Sequence, residues 1–362
     1  MIQYFLPTKI ITQSHCLDLH SHELSAFGKK ALIVTGKSSE KNGSLNDLTK
    51  ALKKEHISYV LFNEVLSNPD IALAREVANL ARNEQVDFLI GLGGGSPMDC
   101  AKAAALLVHN DLDDAALFEG IYKAPILPIV AIPTTAGTGS EVTQYSILNN
   151  KLLETKTSLS HPALFPKVAF LDARYMMGLS QKTTIHTTLD ALSHAIEGYL
   201  SVKATPYSNL FAKKSIELLA DCLFDLKNEL SLEKRSVLLE ASTLAGIVIA
   251  HSGTTAVHAL GYSLTYFKKV DHGHANALLL AEYLQFLNKT HPNQIQDILT
   301  LLHLKTLADF SALLDQLLDK PEKLSTKEVD LFVDKALQTK NITNSLEVPT
   351  RADLLAILEK SL

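Results

Sequence analysis

Short apolar runs, set off by glycine, proline and polar loops, dominate the first part of the chain. Lys30-Ala-Leu-Ile-Val-Thr-Gly36 has no polar alternation, the pattern of a parallel strand buried on both faces. A polar loop at 37–43 and a helix through about Lys54 follow, and Ile57–Phe62 reads as a second strand. Asn68 reads as an N-cap with Pro69 at the first helical position, opening a helix to about Gln85. Val86–Leu92 and Ile126–Ile132 are further buried strands, and 147–172 breaks into short strands and turns around Pro162 and Pro166. Strands alternating with helices predict a parallel α/β sheet.

From about Leu179 the texture changes to helical periodicity. Helices are predicted over Thr184–Ser201, Pro206–Glu229, Lys234–His251, Thr254–Tyr266 and His274–Leu287, with shorter ones up to Leu362. A chain of 362 residues exceeds one hydrophobic core. Two domains are therefore expected, an α/β domain over 1–180 and an all-helical domain over 181–362.

Composition narrows the class. The chain is 46% hydrophobic and 20% charged with a net charge of −5, which provides no basic surface for nucleic acid. The N-terminal stretch lacks the order of a secretory signal, and no apolar run reaches the length of a membrane span. Cys16, Cys100 and Cys222 form no CxxC pair, so neither a disulfide framework nor a zinc-thiolate site is indicated, and Cys100 is expected as a buried, inert thiol. The reducing cytoplasm is the expected location.

Three stretches carry chemistry. Val86–Leu92 runs into Gly93-Gly94-Gly95-Ser96, and Pro97 starts the next helix. The glycines allow close backbone approach, Ser96 is expected as the N-cap, and the free N–H groups and helix dipole then face a phosphate. This differs from the Gly-x-Gly-x-x-Gly fingerprint. The second stretch, Pro133-Thr134-Thr135-Ala-Gly-Thr138-Gly-Ser140-Glu141, offers hydroxyls and glycine N–H groups after a parallel strand, where ligands sit in open α/β sheets. The third is Asp190-Ala-Leu-Ser-His194-Ala-Ile-Glu197. Asp190 and His194 lie one helical turn apart on one face. With His258 and His272 further on, they supply one oxygen and three nitrogens, a donor set suited to iron(II) or zinc(II).

In combination these stretches resemble a known family over essentially the whole chain. Gly93-Gly-Gly-Ser96-x-x-Asp99-x-x-Lys102, Pro133-Thr-Thr-x-Gly-Thr-Gly-Ser-Glu141, Asp190-Ala-Leu-x-His194-Ala-x-Glu197 and His258 with His272-Gly-x-x-Asn276-Ala are similar to the motifs of the iron-containing (group III) alcohol dehydrogenases. The resemblance implies a dehydroquinate synthase-like fold, with a Rossmann-like nucleotide-binding domain followed by a helical metal-binding domain. It implies a metal held by Asp190, His194, His258 and His272, Fe2+ or Zn2+, and hydride transfer between NAD(P)(H) and a small alcohol or aldehyde. It places the pyrophosphate at Gly93, Gly94, Gly95 and Ser96, with Asp99 in the same motif. The nicotinamide half is placed at Thr134, Thr135 and Thr138, near Lys156. A homodimer or larger homo-oligomer is expected, with no nucleic-acid or membrane partner.

Two departures from the family pattern stand out. Many members carry a further His four residues after the position of His258, and here it is Tyr262, which joins the candidate catalytic residues with a phenol of ordinary pKa near ~10 in place of an imidazole near ~6.5. NAD-preferring members carry Asp at the end of the first strand, where this chain has Gly36 followed by Lys37, Ser38 and Ser39. Gly36 removes the carboxylate's repulsion, and Lys37 with the hydroxyls of Ser38 and Ser39 is expected to bind the nucleotide's 2′-phosphate, so that NADP(H) is accepted and preferred while NAD(H) remains usable. Alternatives on the same two-domain plan are a glycerol dehydrogenase-like or other polyol oxidoreductase and a dehydroquinate synthase. From another class comes a non-catalytic nucleotide- or metal-binding homologue.

Overall fold

A computed structural model describes residues 4–110, 112–120, 122, 124–320 and 323–362. In chain order the first part forms β1 (Lys9–Thr12), α1 (Cys16–Leu19), β2 (Lys30–Thr35), α2 (Ser38–Lys41), α3 (Ser44–Lys54), β3 (Ser58–Phe62), α4 (Ile71–Asn83), β4 (Phe88–Gly93), α5 (Gly95–Leu107), α6 (Asp114–Glu119), β5 (Ile129–Pro133), β6 (Tyr145–Asn150), β7 (Thr155–Ser160) and β8 (Val168–Leu171). Two compact units divide the chain, one of Phe5–Thr135 with Gly139–Leu179, the other of Ser180–Leu362 with Tyr4 and Ala136–Thr138.

The α/β unit is built on a parallel sheet of order β1-β8-β5-β4-β2-β3. Its period of two sorts the continuous apolar strands onto both faces. In β2, Leu32 and Val34 join the core under α4 and α5. Ala31 and Ile33 join the opposite core with residues of α1 and α3. β6 and β7 form a separate antiparallel hairpin.

Two expected helix starts are corrected. The cap of α4 is Asp70, whose Oδ1 accepts from Leu73 N at 2.9 Å. Asn68 instead adopts a left-handed φ of 56°, so Pro69 precedes the helix. α5 begins two residues early, with Gly94 as its N-cap. The Ser96 hydroxyl lies inside the first turn and accepts from Asn68 N at 3.1 Å. Lys156 lies within β7. The edge strand β1 was not anticipated.

The helical unit contains α7 (Gln181–Tyr199), α8 (Pro206–Leu223), α9 (Leu232–Ser252), α10 (Ala256–Lys268), α11 (His272–Asn288), α12 (Pro292–Leu301), α13 (Leu307–Leu317), α14 (Thr326–Leu337) and α15 (Arg351–Ser361). Side-chain caps by Ser180, Thr205 and Ser231 set the starts of α7, α8 and α9. α8 stops at Leu223, short of the expected Glu229. α11 starts two residues earlier than expected, which puts His272 on its first turn. Among the described residues, no single helix is long and apolar enough to cross a membrane.

Candidate active site

α7 is buried along most of its length, so its polar residues are held inside the helical unit. Asp190, His194 and His258 are 3%, 4% and 2% exposed. One potential ligand atom from each lies within 4.8 Å of the others. His194 Nε2 stands 3.0 Å from His258 Nε2 and 3.9 Å from Asp190 Oδ1.

The outer nitrogens of both rings face acceptors. The Glu197 carboxylate accepts from His258 Nδ1 at 2.5 Å, and the Gly137 carbonyl faces His194 Nδ1 at 3.3 Å. These partners turn each Nε2 lone pair inward. Two lone pairs 3.0 Å apart repel unless positive charge lies between them, supplied by a proton on one ring or by a metal ion held by both. Burial lowers the pKa of His194, against the opposing charge of Asp190, so this ring is disposed to remain neutral. Buried imidazoles beside a carboxylate fit a divalent transition metal.

His272 is placed beside this triad rather than within it. Its Nε2 is 4.0 Å from Asp190 Oδ1, and its side chain is 23% exposed. Its ring packs edge-on against His258 and flat against Tyr262, with centroids 5.1 and 5.7 Å apart. Tyr262, one turn after His258 on α10, is itself 8% exposed.

Close helix contact brings His272 here. A Cβ on Gly273 would lie 1.9 Å from the His186 carbonyl oxygen and 2.8 Å from Asp190 Cβ. Only a residue without a side chain lets the start of α11 approach α7 so closely. His186 Nδ1 also pairs with Asp271 Oδ2 at 2.9 Å, tying the residue before His272 to α7.

Two neighbours were given no role from sequence. Glu197 is fully buried and accepts from Thr255 N, Thr255 Oγ1 and His258 N as well as His258 Nδ1. Burial acts to raise its pKa, but His258 and the Thr255 donors outweigh this and hold it below the ordinary carboxylate value. Asn276 Nδ2 lies 3.0 Å from Asp190 Oδ1, 3.1 Å from His258 Nε2 and 3.4 Å from His272 Nε2. Both residues stand in the quoted motifs, one turn from His194 and His272. That spacing was the available signal.

Apart from Thr138, the nucleotide candidates lie on the α/β unit. Gly93 ends β4, Gly94 is the N-cap of α5, and Gly95 and Ser96 lie in its first turn. A Cβ on Gly94 would meet Thr135 Oγ1 at 3.2 Å, and Thr134 N donates to Gly93 O at 2.9 Å. The loops after β4 and β5 are thus held side by side, while Thr138 falls in the segment grouped with the helical unit. Asp99 points inward, accepting from Ser140 Oγ at 2.6 Å and Ile147 N at 3.1 Å. Burial raises its pKa, against the charges of Lys102 and Lys156.

Lys102, wholly buried, donates to the carbonyls of Ser140, Thr143 and Tyr145 at 2.6–2.9 Å. Burial pulls it down to about 8, with Asp99 and Glu141 opposing. Ser38 is exposed, whereas Gly36 and Ser39 are buried. The geometry therefore assembles a metal-type cluster on α7 and α10 with His272 of α11 beside it, and glycine loops at the carboxyl ends of β2, β4 and β5.

Models of two families cover nearly all of the chain: "iron-containing alcohol dehydrogenase" matches 7–173, and "Fe-containing alcohol dehydrogenase family, C-terminal" matches 184–362. The chain belongs to the iron-containing alcohol dehydrogenase family. Long-chain-alcohol dehydrogenase 1 of Geobacillus thermodenitrificans is 33% identical over 288 residues, 78% of this chain and 72% of that protein. Lactaldehyde reductase of Escherichia coli is 32% identical over 268 residues, 71% and 68% respectively. The crystal structure of an iron-containing alcohol dehydrogenase from Thermotoga maritima superposes with a TM-score of 0.94 at 38% identity, covering 100% of this chain and 99% of that one. This iron-containing alcohol dehydrogenase therefore has the family's α/β-plus-helical fold, and its reaction class is the interconversion of alcohols and aldehydes. The relatives support that reading and not the polyol-oxidoreductase alternative. Membership also implies iron and NAD(H).

Proposed function

We propose that the enzyme transfers hydride between NAD(P)(H) and a small alcohol or aldehyde, with the α/β unit binding the nucleotide and the helical unit the metal. The buried cluster of Asp190, His194 and His258, whose outer nitrogens are committed to Glu197 and Gly137, is the observation that carries this reading. These residues would hold iron(II) or zinc(II), with His272 as the fourth ligand. When bound, such an ion supplies Lewis acidity toward the substrate's carbon–oxygen bond.

The chain's own groups set the conditions for that chemistry. Glu197 keeps the His258 proton on Nδ1, and Asn276 orients the Asp190 carboxylate. Tyr262 covers one face of His272 and is the side chain proposed to exchange the alcohol proton, in parallel with ordered water. Gly93–Ser96 and the first turn of α5 would bind the pyrophosphate. Thr134, Thr135 and Thr138 would contact the nicotinamide half, with Lys156 nearby. Lack of a carboxylate directly after β2 leaves room for NADP(H), which we propose is accepted alongside NAD(H) and preferred. A homodimer or larger assembly is proposed, and the three buried free thiols suit a reducing compartment such as the cytoplasm.

The test is anaerobic oxidation of NADPH and NADH with butyraldehyde, using metal-stripped protein reloaded with iron(II) or zinc(II). Metal-dependent turnover is expected. Absence of turnover with either metal and either nucleotide would overturn the proposal for this substrate class.

A further inference from the structure

Charges at the ends of neighbouring strands bear on nucleotide choice. From β2 the chain crosses to β3 on one side, and from β4 it crosses to β5 on the other, so the strand order reverses between β2 and β4. Open α/β sheets take nucleotides in the crevice at the carboxyl ends of two such strands. Here Gly93–Ser96 runs from the end of β4 into α5, and Gly36–Ser39 follows β2.

A carboxylate at the tip of β2 would accept from a ribose 2′-hydroxyl and repel a 2′-phosphate. Packing closes that position to any side chain, because a Cβ on Gly36 would lie 2.8 Å from the Val65 carbonyl oxygen. A carboxylate stands next door instead. Glu64, two residues beyond β3, pairs with Lys37 Nζ at 2.5 Å. Asn63 Oδ1 accepts from the same ammonium at 3.1 Å, and Asn63 Nδ2 donates to Glu40 Oε1 at 2.8 Å. Ser39 is turned inward, donating to the Gly36 carbonyl at 3.0 Å. The lysine that invites a 2′-phosphate is thus already held by an acid.

We infer that Glu64 is a specificity-determining residue, restraining NADP(H) relative to NAD(H) through its hold on Lys37. The inference rests on the nicotinamide-nucleotide reading above. A phosphate brings about −1.5 to −2 charge at neutral pH, and beside Lys37 it meets the like charge of Glu64. A 2′-hydroxyl is neutral and can donate to that carboxylate. Lys37 and Glu64 are 59% and 64% exposed, so the change expected is that of a screened surface pair, roughly fivefold.

The test uses the full-length, metal-loaded enzyme with E64Q and K37M variants. One readout is the ratio of kcat/KM for NADPH to that for NADH. The other is the calorimetric Kd of 2′-phospho-ADP-ribose against ADP-ribose, which needs neither hydride transfer nor metal. E64Q should move both ratios toward the phosphorylated ligand by roughly fivefold, and K37M should move both the other way. If wild type binds and turns over the nucleotides but E64Q leaves both ratios within experimental error, the inference is overturned and the nucleotide reading stands. If wild type neither binds the fragments nor turns over either nucleotide, both are overturned.

Discussion

Replacing Glu197 by Gln probes how the metal-type cluster is held. The native carboxylate receives Thr255 N at 2.8 Å, Thr255 Oγ1 at 2.7 Å and His258 N at 3.3 Å on Oε1, and His258 Nδ1 at 2.5 Å on Oε2. A Gln oxygen can keep the Thr255 donors, but its amide nitrogen then faces His258 Nδ1 and must donate to it. His258 is driven to carry its proton on Nε2, aimed at His194 Nε2 only 3.0 Å away. Two losses follow. A buried charge-assisted hydrogen bond disappears, costing roughly 1.5–3 kcal/mol of stability. Loss of the correct tautomer should also weaken divalent-metal affinity by about 10–100-fold. The assay is iron(II) or zinc(II) affinity by chelator competition on stripped protein whose circular dichroism matches wild type, with a thermal melt alongside. A folded E197Q protein that retains wild-type metal affinity would refute the idea that Glu197 sets the His258 tautomer.

Three further outcomes can be checked. Lys102→Met leaves Asp99 and the carbonyls of Ser140, Thr143 and Tyr145 without their buried ammonium; the urea midpoint should fall by the equivalent of about 3–5 kcal/mol, and an unchanged midpoint would contradict this role. Gly273→Ala should force α11 from α7, costing about 1–3 kcal/mol and lowering the metal retained after desalting; a variant with native melting temperature and metal content would argue against the tight approach. Glu328 is depressed from 4.5 to about 2 by Lys268 and the Ser325 donors, so its contribution is complete above the unfolded value and declines as pH falls from about 4.5 toward 2. The melting-temperature gap between wild type and Glu328→Gln should therefore narrow below pH 4.5, and a gap constant between pH 6 and pH 3 would rule this out.

Much of the architecture was legible because the signals are local. Unbroken apolar runs such as 30–36 and 86–92 mark strands covered on both sides, and β2 delivers alternate residues to two cores. Helix capping proved less certain. Asn68 and Ser96 are chemically good caps, yet Asp70 and Gly94 occupy those positions. The reason is that Asn68 adopts a left-handed turn and the Ser96 hydroxyl is engaged by its backbone N–H. These features depend on a contact between loops distant in sequence.

The sequence by itself determined the α/β-then-helical order, the glycine loop ahead of α5 and the one-turn pairing of Asp190 with His194, since periodicity and spacing along one element suffice for each. Tertiary structure alone decided that His194 and His258 face each other, that Glu197 rather than solvent accepts from His258 Nδ1, that His272 sits beside the triad, and that Lys37 is held by Glu64. Those facts join side chains on different elements. Their distances depend on packed helix and strand geometry, including the close approach allowed by Gly273 and Gly36, which local propensity does not encode.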